Sequence, residues 1–121
     1  MKKNISPARG MRDILPAEAT LRRQLETQIY HIYAQNGFAA IDTPAVEHLE
    51  LLTGGQGGEN EKLIYKILKR GDKLDLDAIS DASSLCDLGL RFDLTVPLAR
   101  YFANNRGQLP SVFKAIQMAP V

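Results

Sequence analysis

The chain has 121 residues, of which 45% are hydrophobic and 24% are charged, as in an ordinary soluble protein of one domain or part of one. Its net charge of +1 and its dispersed basic residues argue against a stand-alone nucleic-acid-binding domain, and its single cysteine, Cys86, excludes an internal disulfide. Two scattered histidines and one cysteine are too few for a metal site, so we expect none. Because the sequence has no signal-peptide core and no apolar run of membrane length, we expect no membrane partner and a cytoplasmic location.

A helix followed by a strand is predicted for the first third of the chain. Pro16 suits the first turn of a helix, and apolar residues then recur at steps of three and four as far as Tyr33. Gly37 ends this helix, because glycine takes the left-handed conformation at a helix C-terminus without strain. Residues 38–43 predict a short strand that stops at Pro44, which has no N–H group to donate to a sheet.

The middle of the chain alternates short elements with loops. Residues 46–52 are expected to form a short helix or an irregular packing segment, and residues 53–60 a flexible glycine-rich loop. This loop lacks the Gly-Lys-Ser/Thr ending of a phosphate-binding loop. Residues 64–68 predict a strand, residues 70–73 a turn, and the acidic residues 75–87 a surface insertion of low order.

A strand-to-helix junction is predicted within residues 88–105. Residues 88–92 form the strand, and the helix that follows has Thr95 as its N-cap. Such a junction leaves helical N–H groups unpaired and places Asp93 and Thr95 where a ligand can reach them. A carboxylate and a hydroxyl suit an ammonium group, such as the α-amine of an amino acid. From the local pattern alone, the alternative that both side chains only cap the helix stays open.

The last residues of the chain predict one more strand. Residues 112–118 alternate imperfectly between apolar and polar, and Ala119, Pro120 and Val121 follow without a cap or a polar tail. We therefore expect the chain to be a fragment of a longer protein.

The run LRFDLTVPLARY, residues 90–101, resembles the histidyl-tRNA synthetase segment that reads Leu-Arg-acidic-x-Thr. In that family the acidic residue and the threonine hold the α-amino group of the substrate histidine, which implies this role for Asp93 and Thr95. Ile64-Tyr65 is similar to a family strand, which implies a place for Tyr65 at the substrate pocket; simple packing is the alternative. Residues 8–13 are similar to the family's N-terminal lead-in, although they also fit surface charges around a glycine turn.

Two further stretches resemble motifs of class II aminoacyl-tRNA synthetases. Residues 17–44 are similar to motif 1, a helix and a proline-closed strand that builds the dimer interface in that class. The residues that carry this likeness are Gly37, Phe38, Ile41 and Pro44. Residues 112–121 are similar to the opening strand of motif 2. By the family pattern the motif 2 arginine lies beyond Val121, so we expect no catalytic residue in this chain and no activity of the chain by itself.

The resemblance implies an α/β fold of the α+β type. Residues 1–121 are expected to form the N-terminal part of a class II synthetase catalytic domain, an incomplete antiparallel sheet flanked by helices, without the anticodon-binding domain. The implied parent enzyme is a homodimeric histidine–tRNA ligase, which uses ATP and Mg²⁺ to form histidyl-adenylate and then charges histidine tRNA. The chain is expected to supply part of the histidine pocket and of the dimer interface, with no ATP or metal bound by itself.

Two alternatives to this activity remain open. One is a regulatory subunit of ATP phosphoribosyltransferase in histidine biosynthesis, since such subunits resemble the synthetases through this same region. The other is a non-enzymatic dimerisation module.

Overall fold

The computed structural model describes residues 5–54, 62–74 and 84–121, and it contains the predicted first helix. This helix, α1, spans Pro16–Gln35 and begins with its proline in the first turn. Gly37 follows with a φ of 79°, the left-handed conformation that glycine adopts without strain. The chain therefore turns out of the helix at the predicted residue.

The apolar side of α1 is exposed within the described part of the chain. Leu21 is 57% exposed, Leu25 50% and Ile32 56%, and no residue of the helix is buried. An amphipathic helix of this kind gains most of its stability from packing of its apolar face. The described residues therefore leave Leu21, Leu25 and Ile32 without a cover.

The main sheet has three antiparallel strands in the order β2–β4–β3. The strands are β2 (Val46–His48), β3 (Lys66–Leu68) and β4 (Cys86–Leu90). His48 pairs with Leu88 on one side of the central strand β4, and Lys66 pairs with Gly89 on the other. The small antiparallel sheet with flanking helices confirms the predicted fold class.

A second pairing joins distant parts of the chain. Strand β1 (Ala39–Ala40) lies parallel to β5 (Ala115–Ile116). The N–H of Ala39 donates to the carbonyl of Lys114 at 2.8 Å, and the N–H of Ile41 donates to the carbonyl of Ile116 at 3.1 Å. The strand predicted for residues 38–43 is therefore too long, because its partner β5 has only two residues in regular pairing.

Other element bounds also differ from the sequence prediction. Residues 46–52 are divided between β2 and a short helix, α2 (Leu49–Thr53). The turn predicted at residues 70–73 is a 3₁₀ turn at Gly71–Lys73. Strand β4 begins at Cys86, inside the stretch predicted as a low-order insertion, and ends before the predicted limit at Phe92. The remainder of that stretch up to residue 83, and the glycine-rich loop beyond Gly54, lie outside the described residues.

The core lies between the main sheet and the helices on one of its faces. Leu49, Leu52 and Ile64 are buried there, and Phe92 and Val96 pack against them. Close packing at the centre favours glycine, because a Cβ on Gly89 would lie 2.9 Å from Ile64 Cγ2 and 3.0 Å from Leu52 Cδ1. The core thus holds the start of the last helix against the sheet.

That last helix, α3, spans Thr95–Asn105 and continues into a 3₁₀ turn at Arg106–Gln108. The ring of Phe113 stacks on those of Tyr101 and Phe102, each with centroids 6.1 Å apart, so the chain that leads to β5 packs on α3. In the described ranges, each helix is too short or too polar to cross a membrane.

Candidate functional site

The predicted strand-to-helix junction lies between the end of β4 at Leu90 and the start of α3 at Thr95. Leu94 is the N-cap residue, and the side chain of Asp93 just before it caps the helix: Oδ1 accepts the N–H of Thr95 at 3.1 Å and, more weakly, the N–H of Val96 at 3.5 Å. The prediction that Thr95 is the N-cap is therefore wrong. Thr95 is already helical, and an aspartate side chain readily bonds the N–H groups two and three residues further on.

Thr95 lines an open cleft of about 420 Å³ between α1, α3 and the last strand. The other lining residues come from these elements, from the residues directly beside them and from the stretch after β1: Ile29, Tyr33, Ile41, Leu94, Leu98, Ala115, Ile116, Gln117 and Met118. Asp93 is half-buried, lies two residues before the start of α3 and does not line this cleft. The two residues predicted to hold an amine thus share one helix start, and only Thr95 lies on the cleft wall.

Tyr65 lies beside the junction but outside the cleft. Its carbonyl accepts the N–H of Leu90 at 2.9 Å. The Tyr65 backbone, just before β3, therefore lies beside Leu90, which is three residues before Asp93. Its side chain is 60% exposed and does not line the cleft around Thr95. A pocket role for Tyr65 stays a prediction.

The four motif 1 residues have different environments. Phe38 packs edge-on against Tyr33, with ring centroids 4.9 Å apart, after the turn at Gly37. Ile41 is buried and lines the cleft. Pro44 lies four residues beyond the end of β1, so it does not itself stop that strand, and its carbonyl accepts a hydrogen bond from Arg91. Their role in a dimer interface stays a prediction.

Arg91 is a buried residue that the sequence reasoning missed. It is 8% exposed, and its Nη1 donates to the carbonyls of Thr43 at 2.9 Å and Pro44 at 3.3 Å. Its Nε donates to the carbonyl of Pro120 at 3.2 Å. The only sequence signal was its place inside the recognised run, since arginines are mostly exposed.

A buried ion pair between Glu47 and Arg100 was also missed. Arg100 Nε lies 2.9 and 2.7 Å from the two carboxylate oxygens of Glu47, and Arg100 Nη2 lies 2.8 Å from Oε1. The Glu47 side chain is only 3% exposed. This bidentate pair joins β2 to α3 and therefore holds the helix that carries Thr95 in place. Nothing in the sequence pairs residues 53 positions apart.

An ion pair joins the N-terminal lead-in to α1. Arg12 makes two hydrogen bonds to Glu18, at 2.6 and 2.8 Å, and Arg22 makes a third to the same carboxylate at 2.9 Å. The hydrogen bond from Arg12 is the main reason that the pKa of Glu18 is lowered to about 2. These charges lie at the surface, away from the cleft around Thr95.

Comparison with known proteins bears directly on the junction. A family model described as "Histidyl-tRNA synthetase" matches residues 10–114, which include the whole Asp93–Thr95 junction. The chain belongs to the histidyl-tRNA synthetase family. The resemblance inferred from the run at residues 90–101 is thereby confirmed.

Individual relatives agree with this family. The chain is 50% identical over 125 residues to the histidine–tRNA ligase of Leifsonia xyli, in an alignment that covers all of this chain and 29% of the ligase. The crystal structure of histidyl-tRNA synthetase from Nostoc sp. PCC 7120 matches with a TM-score of 0.76 and 34% identity, over 98% of this chain and 23% of that one. The chain therefore spans less than a third of the length of these synthetase family members.

One solved structure touches on the regulatory-subunit alternative. It is an ATP phosphoribosyltransferase regulatory subunit/histidyl-tRNA synthetase from Bacillus halodurans C, with a TM-score of 0.68 over 95% of this chain and 27% of that one. At 21% identity this likeness shows the fold alone. The regulatory-subunit alternative is therefore no better supported than the assignment to the ligase.

Proposed function

We propose that this segment forms the amine-binding wall of the active site of a histidine–tRNA ligase. The Asp93 carboxylate and the Thr95 hydroxyl are the groups that would hold the α-ammonium group of histidine. One observation carries the proposal: both side chains lie at a single strand-to-helix junction in a chain of the histidyl-tRNA synthetase family. The assignment of histidine as the ligand comes from the family.

Asp93 can serve the helix and a ligand together. An ionised carboxylate has roughly four acceptor positions, and the helix N–H groups at this junction use only Oδ1. The start of a helix carries a partial positive charge, which by itself disfavours a nearby ammonium group. The negative charge of Asp93 offsets this, so it is what makes the junction suitable for a cation.

The chemistry of the complete ligase lies mostly outside this segment. In the proposed reaction the carboxylate of histidine attacks the α-phosphate of ATP, which gives histidyl-adenylate and releases pyrophosphate. The histidyl group then passes to histidine tRNA, and AMP leaves. We assign the arginines and the Mg²⁺ that stabilise the phosphate charge to the rest of the ligase. The described residues contain no group of three or more metal-ligating side chains that fits a magnesium ion. This segment binds and orients the amine.

We also propose that the ligase is a cytoplasmic homodimer. The exposed apolar side of α1, with Leu21, Leu25 and Ile32 between 50 and 57% exposed, supports an interface at the motif 1 helix. Covering such a face with a second copy would remove from water the surface that the described residues leave open.

A chimaera tests the proposed function. Residues 1–121 replace the matching segment of the Leifsonia xyli ligase, and histidine-dependent ATP–pyrophosphate exchange is measured. The chimaera should be active, whereas the 121-residue chain alone should give only background exchange. A folded chimaera without exchange would contradict the proposed function.

Asp93→Asn in the chimaera separates amine binding from helix capping. The side-chain oxygen of asparagine can accept the same N–H groups two and three residues further on, so the melting temperature should hardly change. Loss of a charged hydrogen bond should raise the KM for histidine by about tenfold to a hundredfold. Asp13→Asn, at an exposed residue of the lead-in, is the matched control and should change neither quantity. An unchanged KM in Asp93→Asn would leave Asp93 with a capping role only.

A further inference from the structure

Arg91 contacts two segments that are distant from it in sequence, residues 43–45 and Pro120. Its backbone N–H donates to the carbonyl of Ala45 at 2.9 Å, and its Nη1 donates to the carbonyl and, at 3.3 Å, to the hydroxyl of Thr43. Its Nε reaches the carbonyl of Pro120 at 3.2 Å, near the end of the chain. Arg91 itself lies two residues before Asp93. One side chain thus joins the junction, the stretch after β1 and the stretch after β5.

These contacts use two nitrogens of the guanidinium. All the described acceptors are neutral oxygens: Nη1 reaches three of them and Nε reaches the fourth, in a residue that is 8% exposed. A buried cation is tolerated only where its N–H groups are satisfied, and the planar fork of arginine places donors in several directions at once. A lysine ammonium is a compact charge on a flexible stem, so it would keep the charge and lose this geometry.

The contacts of Arg91 extend to the cleft around Thr95. The hydroxyl of Thr43, which accepts from Arg91, also accepts the Nε2 amide of Gln117 at 2.9 Å. Gln117 lines the cleft together with Thr95. Two walls of the cleft, the helix start and the last strand, are therefore linked through Arg91 and Thr43.

We propose that Arg91 is a positioning residue for the histidine site. It does not line the cleft; it holds the Asp93–Thr95 junction at a set place relative to Thr43 and to Gln117, which directly follows β5. The ligand in this inference rests on the proposed function. The positioning itself rests on the contacts of Arg91.

Arg91→Lys in the chimaera tests the inference through kinetics. At a temperature where the variant is folded, the KM for histidine should rise about tenfold, because the junction is no longer held in place. Arg23→Lys is the matched control, since that side chain is 83% exposed, and its KM should not change. A lower melting temperature with an unchanged KM would reduce Arg91 to a structural role and overturn the inference.

Hydrogen exchange tests the positioning even in a chimaera that does not activate histidine. In Arg91→Lys, a peptide covering residues 93–100 should exchange faster, because the N–H groups of Thr95 and Val96 depend on the position of Asp93. A peptide from α1, residues 18–32, should exchange at the rate of the parent. If Arg91→Lys does not fold, Thr43→Val removes one acceptor of the same link and should give a smaller change in the same direction. Unchanged exchange at residues 93–100 in the folded variant would overturn the inference, whatever the activity.

Discussion

Replacing Arg100 with methionine should strongly destabilise the 121-residue chain. The carboxylate of Glu47 would stay buried, with its side chain 3% exposed, and would lose three contacts of 2.7 to 2.9 Å. Removing one partner of a buried ion pair costs about 3–5 kcal/mol. Because Arg100 is itself 27% exposed and water can reach the site, we expect a loss near the lower limit, about 3 kcal/mol.

Urea unfolding followed by far-UV circular dichroism measures this loss, with linear extrapolation to water. The double variant Glu47→Met/Arg100→Met should recover most of the stability, because two apolar side chains of similar size can replace a buried pair at little cost. The control Arg23→Met breaks an exposed pair with Glu26 and should cost no more than about 1 kcal/mol.

Two outcomes would refute the reasoning about Glu47. If Arg100→Met costs no more than Arg23→Met, the carboxylate of Glu47 is hydrated and the pair does not hold α3 on β2. If the double variant is as unstable as Arg100→Met, the loss comes from packing around the arginine stem and not from an uncompensated charge.

Two other predictions concern stability. Gly89→Ala should lower the free energy of unfolding, measured in urea, by about 1–3 kcal/mol, since the new Cβ would lie 2.9 Å from Ile64 and 3.0 Å from Leu52. The control Gly107→Ala should be nearly neutral, because no atom lies within 4 Å of its Cβ. Equal losses in the two variants would contradict this packing. The pKa of Glu18 is lowered from its ordinary 4.5 to about 2, so its contribution to stability should be complete above pH 4.5 and be lost as the pH falls toward 2. Glu18→Gln should make stability less dependent on pH in this range. Salt should weaken the pH dependence in the unmodified chain, because the ion pair between Arg12 and Glu18 is exposed. A pH profile unchanged by Glu18→Gln would exclude the Glu18 carboxylate as the cause of the pH dependence.

The local elements of this chain were largely predictable. The helix α1, its end at Gly37 and the strand-to-helix change before Thr95 follow from apolar spacing, proline and glycine over short stretches. The strand ends were less predictable, because a strand extends only as far as its partner does. β1 stops at Ala40 since β5 offers it two paired residues, which no feature of residues 38–43 reveals.

The candidate site was predictable in its residues and not in its geometry. Asp93 and Thr95 stand out in the run at residues 90–101, and family membership is now shown over residues 10–114. That the Asp93 side chain, and not that of Thr95, accepts the first helical N–H groups follows from where the helix begins, since Thr95 is already helical. Their role in holding the amine of histidine stays a prediction until the KM of Asp93→Asn is measured.

The sequence by itself determined the first helix, the junction and the family, because each depends on a pattern of residues that are close together in the chain. Only the tertiary structure decided which polar side chains are buried and what satisfies them. Glu47 meets Arg100, and Arg91 meets Pro120, across 53 and 29 positions of chain. Such partners depend on the path of the backbone between them, since a buried charge is stable only where the fold brings its partners within hydrogen-bonding distance.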